Sequence, residues 1–461
     1  MSEGLRVNII ERSQVSAPPH STSPTSLPLT FLDLPWLFFS PNQPLFFFDF
    51  PFSLTHFIAF TLPNLKLSLS LTLQHYFPFA GNFVPSLEPS KPHIVYSESN
   101  SVSLVVAESS DDFNYFCSNH ARDVNSFHAL VSNLKSEKKE IALMAIQVTV
   151  FPDSGICIGI TYQNIIADGR TFHNFMNTWA AFCSSQDSSF PQKSLPFYDR
   201  GVIVDSHGLE EVFLKQYWRR KRTNFITVHD TKVKSSSLSD VVRATFLMGP
   251  TQMENIKRFI VSSCREKNES QPEHLSPYVL ACAFLWVCML KTQQITNNNS
   301  EDVRYKDPAY FGFIAGGMTR LQFPVPATYL GNCVGFGLAS AMRGELLRED
   351  GIVVAARAIG GTIKKLDQGM LVGAEKWVSD WEGINGSELH VVATWSPKLK
   401  LYGTDFGWGG PRKIEEISID KSRAISLISS RDVVGGMEIG LALPRDKMDS
   451  FTVFFNQGLV V

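Results

Sequence analysis

The densest set of reactive groups in this sequence is Thr161-Tyr162-Gln163-Asn164-Ile165-Ile166-Ala167-Asp168-Gly169-Arg170. Its polar heads are an amide at Asn164, a carboxylate at Asp168 and a guanidinium at Arg170. An amide carries a donor and an acceptor but takes up no proton at neutral pH. It can orient a ligand or stabilise a developing negative charge, yet it cannot serve as a general base. Other chemistries find no matching pattern. His56, His75 and His128 lie in no arrangement with carboxylates or thiols that suggests a metal site. The seven cysteines form no CxxC, and an odd count favours reduced thiols of a cytosolic protein. Cys282 and Cys288 fall in an apolar run and read as buried packing. There is no glycine-rich phosphate loop.

The elements that must position Asn164 follow from patterning. Residues 141–151 and 156–163 are apolar runs separated by Pro152-Asp153-Ser154-Gly155, which predicts a β-hairpin. Asp168 is a good helix N-cap, and Phe172, Phe175, Met176, Trp179 and Phe182 recur on one helical face behind it. Asn164 therefore sits where a strand ends and a helix begins, a frequent place for exposed chemistry in α/β proteins. Leucines at 65, 67, 69, 71 and 73 fit a strand by alternation and a helix by their every-fourth members. Residues 14–29 are rich in Pro and Ser and read as an extended surface lead-in. The Leu27–Phe39 stretch reads as packed turns. Residues 237–250 predict a strand, 251–264 an amphipathic helix, 276–291 an apolar helix and 292–302 a surface loop. A polar, proline-bearing stretch places the main division at a crossover of 191–225, between an N-terminal domain of 1–190 and a C-terminal domain of 226–461.

Composition sets the class. The chain has 461 residues, 44% hydrophobic and 19% charged, which supports large packed cores. A net charge of −2 lacks the basic field of a nucleic-acid binder, and small weakly polar ligands are the natural partners. The phenylalanine-rich stretch of residues 35–60 is broken by Pro41, Pro44, Asp49 and Pro51, short of the roughly 18 to 20 apolar residues a membrane span requires. The first residues lack a secretory signal's apolar core, so the sequons at Asn268, Asn298 and Asn385 are expected to be unused and the protein cytoplasmic.

The Asn164–Asp168 segment and the later Asp405-Phe406-Gly407-Trp408-Gly409 together resemble the HxxxD and DFGWG signatures of the plant BAHD acyltransferases. The resemblance extends to Leu27-Pro28-Leu29-Thr30-Phe31-Leu32-Asp33, to Tyr329-Leu330-Gly331-Asn332-Cys333, and to Ser429-Ser430-Arg431-Asp432 with the GGMEIGL that follows. It is nearest to the branch that acylates sugars of flavonoids and phenolic glucosides, often from malonyl-CoA. It implies an α/β fold of two domains, each a mixed β-sheet flanked by helices, with the active-site channel between them. It implies no tightly bound cofactor, acyl-CoA as co-substrate only if acyl transfer is retained, a small plant metabolite as partner, and a monomer. In the family the motif histidine deprotonates the acceptor, the motif aspartate holds its loop through an arginine, and DFGWG (here Asp405, Gly407, Trp408 and Gly409) is mainly architectural. Some branches set a Thr/Ser–Trp pair against the reacting carbonyl, which brings forward Thr394 and Trp395. Ordinary core packing is the competing reading of Trp395.

The resemblance also exposes departures. Asn164 stands where the family's histidine is expected. In Ala315-Gly316-Gly317-Met318-Thr319-Arg320-Leu321, Gly316 and Met318 occupy places that are usually acidic and basic, and only Arg320 remains. The arginine that would steady Asp168 is then missing, unless Arg320 or Arg170 substitutes. Three functional readings follow: a repurposed enzyme running an elimination, rearrangement, cyclisation or coupling; an acyltransferase with a substitute base or activated acceptor; and a non-catalytic binding protein. His173 is the nearest histidine, but its place on the helix reads as surface. Tyr162 could donate a proton, though a strand-end tyrosine more often packs.

Overall fold

The protein is described by a computed structural model covering residues 7–137, 140–185, 195–222, 238–295, 306–385, 390–422 and 424–458. The hairpin forms as its turn residues require. Strand Met144–Phe151 runs antiparallel to Gly155–Tyr162, with Met144 opposite Tyr162 and Phe151 opposite Gly155. Asp153 takes the left-handed turn position at φ 59°, which aspartate tolerates because its short side chain bonds locally. Every residue of both strands is buried, so this is the centre of a sheet covered on both faces.

Helix Gly169–Ser184 begins at Asp168, whose Oδ1 accepts from the Thr171 amide at 2.8 Å. Its apolar face is buried, including Phe172, Phe175, Met176, Trp179 and Phe182. That face meets helix Leu62–His75, where the Trp179 indole donates to the Leu65 carbonyl and to Ser68 Oγ, both at 3.2 Å. The leucine series is thus helical. Leu65, Leu69 and Leu73 are fully buried, while Leu67 is 61% exposed. One stripe of a helix can pack on its neighbour, whereas the alternating set cannot share a helical face.

Two mixed sheets carry the fold. The first has the spatial order Val7–Val15, Val102–Ser109, Met144–Phe151, Gly155–Tyr162, Pro44–Asp49 and Lys413–Glu416. The second runs Val334–Met342, Pro308–Gly316, His390–Thr394, Ala424–Ser429, Met437–Pro444, Val241–Met248 and Arg122–Asp123. A smaller five-stranded sheet includes Thr25–Pro28, so the expected lead-in of residues 14–29 is partly a strand. The two large sheets exchange edges. Lys413–Glu416, from late in the chain, completes the first, and Arg122–Asp123, from early in it, completes the second.

A buried ionic cluster fastens the exchange. Arg122 Nη2 meets Glu415 Oε1 at 2.7 Å, and Arg243 bridges Glu415 Oε2 and Asp420 Oδ1, each at 2.9 Å. Both guanidinium groups lie over the Phe127 ring, at 5.0 and 4.9 Å. Further along, the expected C-terminal elements appear as strand Val241–Met248, helix Pro250–Glu266 and helix Pro277–Ile295. The last runs beyond its expected end, and 296–302 of the expected loop lie outside the described residues. Within the 191–225 crossover, Arg200–Val202 is a 3₁₀ turn and Leu209–Arg222 a helix, while 191–194 and 223–225 lie outside the described residues.

Candidate active site

The strand that ends at Tyr162 delivers Asn164 into a closed environment, where it is 7% exposed. An isolated antiparallel bridge between Asn42 and Tyr162 brings the 40–42 segment alongside. The Asn164 amide is engaged at both ends. Its Oδ1 accepts from Asn42 Nδ2, and its Nδ2 donates to the Ser40 carbonyl. Its backbone carbonyl accepts from Asn332 Nδ2 at 3.0 Å.

Asp168, also buried, divides its oxygens between two backbone amides: Oδ1 takes Thr171 and Oδ2 takes Cys333 at 3.0 Å. Arg170, not Arg320, is the arginine beside it, at 3.7 Å. Arg170 Nη2 donates to the Tyr329 carbonyl at 2.9 Å. Arg320 is turned away, pairing with Asp367 at 2.7 Å and donating to the Gly316 carbonyl at 2.9 Å. The carboxylate of Asp168 is therefore a joint between the helix start and the Tyr329–Cys333 segment.

Thr394 and Trp395 lie close by, with their donors occupied. Thr394 Oγ1 donates to the Ile425 carbonyl at 3.2 Å. Trp395 has the left-handed φ of 62°, a costly conformation for a bulky side chain, and its indole donates to Glu416 Oε2 at 2.9 Å. Its ring meets Phe172 edge-on at 6.3 Å. Phe172 in turn stacks on Tyr162 at 4.5 Å with only 7° between the planes. Burial pushes the Tyr162 hydroxyl well above its ordinary pKa, and the nearby Glu416 adds to this, so it stays protonated. His173 sits one position along on the same helix. Its Nε2 meets Asn177 Nδ2 at 3.0 Å, and burial lowers its pKa.

Asp405 builds a tight turn, its Oδ1 accepting from the Gly407 and Gly409 amides at 2.7 and 2.9 Å. Both glycines have φ near 90° (97° and 90°), where a side chain would be strained. The turn drives Phe406 edge-on into Trp179 and Phe48, and Trp408 stacks over Phe406 at 5.4 Å. In this way it locks strand Pro44–Asp49 to helix Gly169–Ser184. Among the described residues no group of three or more His, Cys, Asp or Glu could hold a metal ion. No helix among them is long and apolar enough to cross a membrane.

The model of the Transferase family matches residues 5–457. A malonyl-coenzyme A:anthocyanin 3-O-glucoside-6''-O-malonyltransferase of Dahlia pinnata is 35% identical, over 98% of this chain and 97% of its own. Phenolic glucoside malonyltransferase 2 of Arabidopsis thaliana is 33% identical, over 99% and 100%. The chain belongs to the BAHD acyltransferases. Vinorine synthase shares the fold, with a TM-score of 0.67 at 18% identity over 96% of each chain. So does TRI101 of F. sporotrichioides, solved with coenzyme A and T-2, at 0.65 and 12% identity over 93% of this chain and 97% of that one.

Within this BAHD chain, two groups of residues that reading by type did not single out prove central. Asp33 accepts from Thr30 N and Oγ1 at 2.9 and 2.7 Å, from Arg200 Nη1 at 3.2 Å, and from Asn332 N and Nδ2 at 3.1 and 3.0 Å. Asn332 thus hangs the Asn164 carbonyl from a buried carboxylate. The signal was present, since both residues fall in segments that resemble the family. The other is Glu416, which besides Trp395 accepts from the Gln43 and Ser418 amides at 3.1 Å each and from Ser418 Oγ. Burial raises its pKa, against the pull of these donors. Apart from Ser418 two residues on, the partners of Glu416 are distant in sequence, so its place in the site is not readable locally.

Proposed function

We propose that Asn164 takes the place of the family's proton-accepting histidine. On this reading the protein acts on a small plant metabolite between its two halves, in a reaction other than ordinary acyl transfer. The classes that fit are elimination, rearrangement, cyclisation and coupling, in which positioning and hydrogen bonding lower the barrier without a strong protein base. The halves are 1–190 and 226–461, joined by the 191–225 crossover. The observation that carries the reading is the double engagement of the Asn164 amide by Ser40 and Asn42. Asn164 cannot accept a proton there, and it acts by holding the 40–42 segment. Loss of a general base typically slows a reaction by about 10² to 10⁴-fold. The change of Gly316 and Met318 in a second motif fits the same history.

The test restores the base. Asn164→His, incubated with malonyl-CoA and a phenolic glucoside, is expected to release free CoA from a silent background. Transfer by the unmodified protein at the rates usual for the family would end this reading.

A second reading, CoA-dependent O- or N-acyl transfer of malonyl or acetyl type, is favoured by Glu416. It is a buried carboxylate with a raised pKa, bonded to Trp395 beside the Phe172–Tyr162 stack. The relatives' names point the same way. Under this reading Glu416→Gln abolishes CoA release by the unmodified chain. Under the first there is no release to abolish.

A further inference from the structure

One surface helix is apolar on both of its faces. Three helical pieces run without a break over 54–75: Leu54–His56, a π turn Phe57–Thr61 and Leu62–His75. The inner face packs into the core through Phe57, Leu65, Leu69 and Leu73, each fully buried. A helix of this kind ordinarily turns a polar face to water. Here Phe60 is 69% exposed and Leu67 61%, and Phe52, just ahead of the helix, is 44% exposed. Phe52 stacks on His56 at 4.4 Å, and His56 meets Phe60 at 5.0 Å. Pro63, also exposed, and Leu67 follow Phe60 three and seven residues on, so the set forms one stripe along the helix.

Charge and area select what covers the stripe. Between Asp49 and Lys66 the sequence has no Asp, Glu, Lys or Arg. The two charges that bracket it are paired, Asp49 with Arg412 at 3.3 Å and Lys66 with Glu11. Asn64, beside the stripe, donates its Nδ2 to the Cys183 carbonyl at 2.8 Å. At ~200 Å² for a phenylalanine, Phe52, Phe60, Pro63 and Leu67 together present about 350 Å². That is less than half of the roughly 800 Å² that each partner gives to a stable protein interface. It suits a helix lying in the plane of a bilayer, where an apolar face enters by about 5–10 Å. The outside of a helix is convex, a shape that inserts into a soft surface better than it encloses a ligand. A neutral stripe has no electrostatic preference for anionic lipid.

We propose that this stripe, from residue 52 to residue 67, docks the protein on the surface of a zwitterionic lipid bilayer. The helix lies on the membrane and does not cross it, in keeping with the lack of a spanning helix among the described residues. The proposal is independent of the reaction run at Asn164.

The test is co-sedimentation of the full chain with phosphatidylcholine vesicles. The chain is expected to pellet with them, equally well with or without added phosphatidylserine. Phe60→Ser is expected to weaken partition about tenfold, and Phe60→Ser combined with Leu67→Ser about a hundredfold. Val434→Ser, at a valine that is 97% exposed elsewhere, should change nothing. Phe60→Trp should gain fluorescence that lipids brominated on their acyl chains quench. All four positions are exposed, so each variant is expected to melt as the parent does. No pelleting, pelleting only with phosphatidylserine, pelleting that survives both serines, or no quenching of Phe60→Trp overturns the proposal. So does a dimer of the unmodified chain in vesicle-free buffer that Phe60→Ser dissolves, because a second copy would then cover the stripe.

Discussion

At Asn164 the direction of two hydrogen bonds decides what a substitution does. The amide gives a proton to Ser40 and takes one from Asn42. Asn164→Ala removes two half-buried hydrogen bonds, at about 0.5–1.5 kcal/mol each. Asn164→Asp keeps an acceptor for Asn42 but sets a carboxylate oxygen against the Ser40 carbonyl. Above its carboxyl pKa the aspartate variant should melt lower than the alanine variant, and the gap should narrow on acidification. Equal melting at neutral pH would show that the Ser40 contact contributes nothing. Trp395 obeys a similar logic, since its left-handed backbone persists only while the Glu416 bond and the Phe172 contact hold it.

At the scale of elements, one carboxylate sets the start of a helix and the place of a distant segment. Asp168 caps helix Gly169–Ser184 through Thr171 and pins Cys333. Asp168→Ala removes both and should cost about 2–3 kcal/mol, the sum of a lost cap and an unpaired buried amide. Asp168→Asn keeps one acceptor oxygen and should lose less than half of that, measured by urea unfolding. A role in proton transfer predicts a different pattern, with activity lost in both variants at unchanged stability. The turn at Asp405 supports the other end of the same helix by wedging Phe406 against Trp179.

At the scale of the whole molecule, the edge exchange between the sheets depends on charge. Burial by itself would push the Glu415 carboxyl up, but Arg122, Arg243 and Lys413 outweigh it and hold the group at about 2, below its ordinary value of 4.5. A depressed carboxyl contributes stability that is fully present above pH 4.5 and is lost as pH falls towards 2. The contribution is on the order of 3 kcal/mol. Glu415→Gln should therefore melt well below the parent at pH 7, with the difference shrinking steadily from pH 5 to pH 3. A difference constant with pH would mean that the ion pairs do not hold the sheets together. Removal of one partner, as in Arg243→Ala, leaves a buried charge uncompensated and should cost about 3–5 kcal/mol.

Local chemistry made much of this protein readable in one dimension. A Pro-Asp-Ser-Gly turn between apolar runs dictates the hairpin, and an aspartate before a helical stripe dictates the cap. These act within a few residues, so their order along the chain suffices. The leucine series from 65 to 73 was ambiguous, because alternation and helical spacing overlap until a neighbouring helix selects one face. Whether Asn164 offers a free amide, which arginine sits beside Asp168, and how Glu415 and Glu416 come to be buried depended on the folded chain. Their partners lie between about 120 and 370 residues away in many cases, such as Ser40, Gln43 and Arg122. Bonds that span such separations are set by how the sheets close and exchange strands, which no local pattern of residue types encodes.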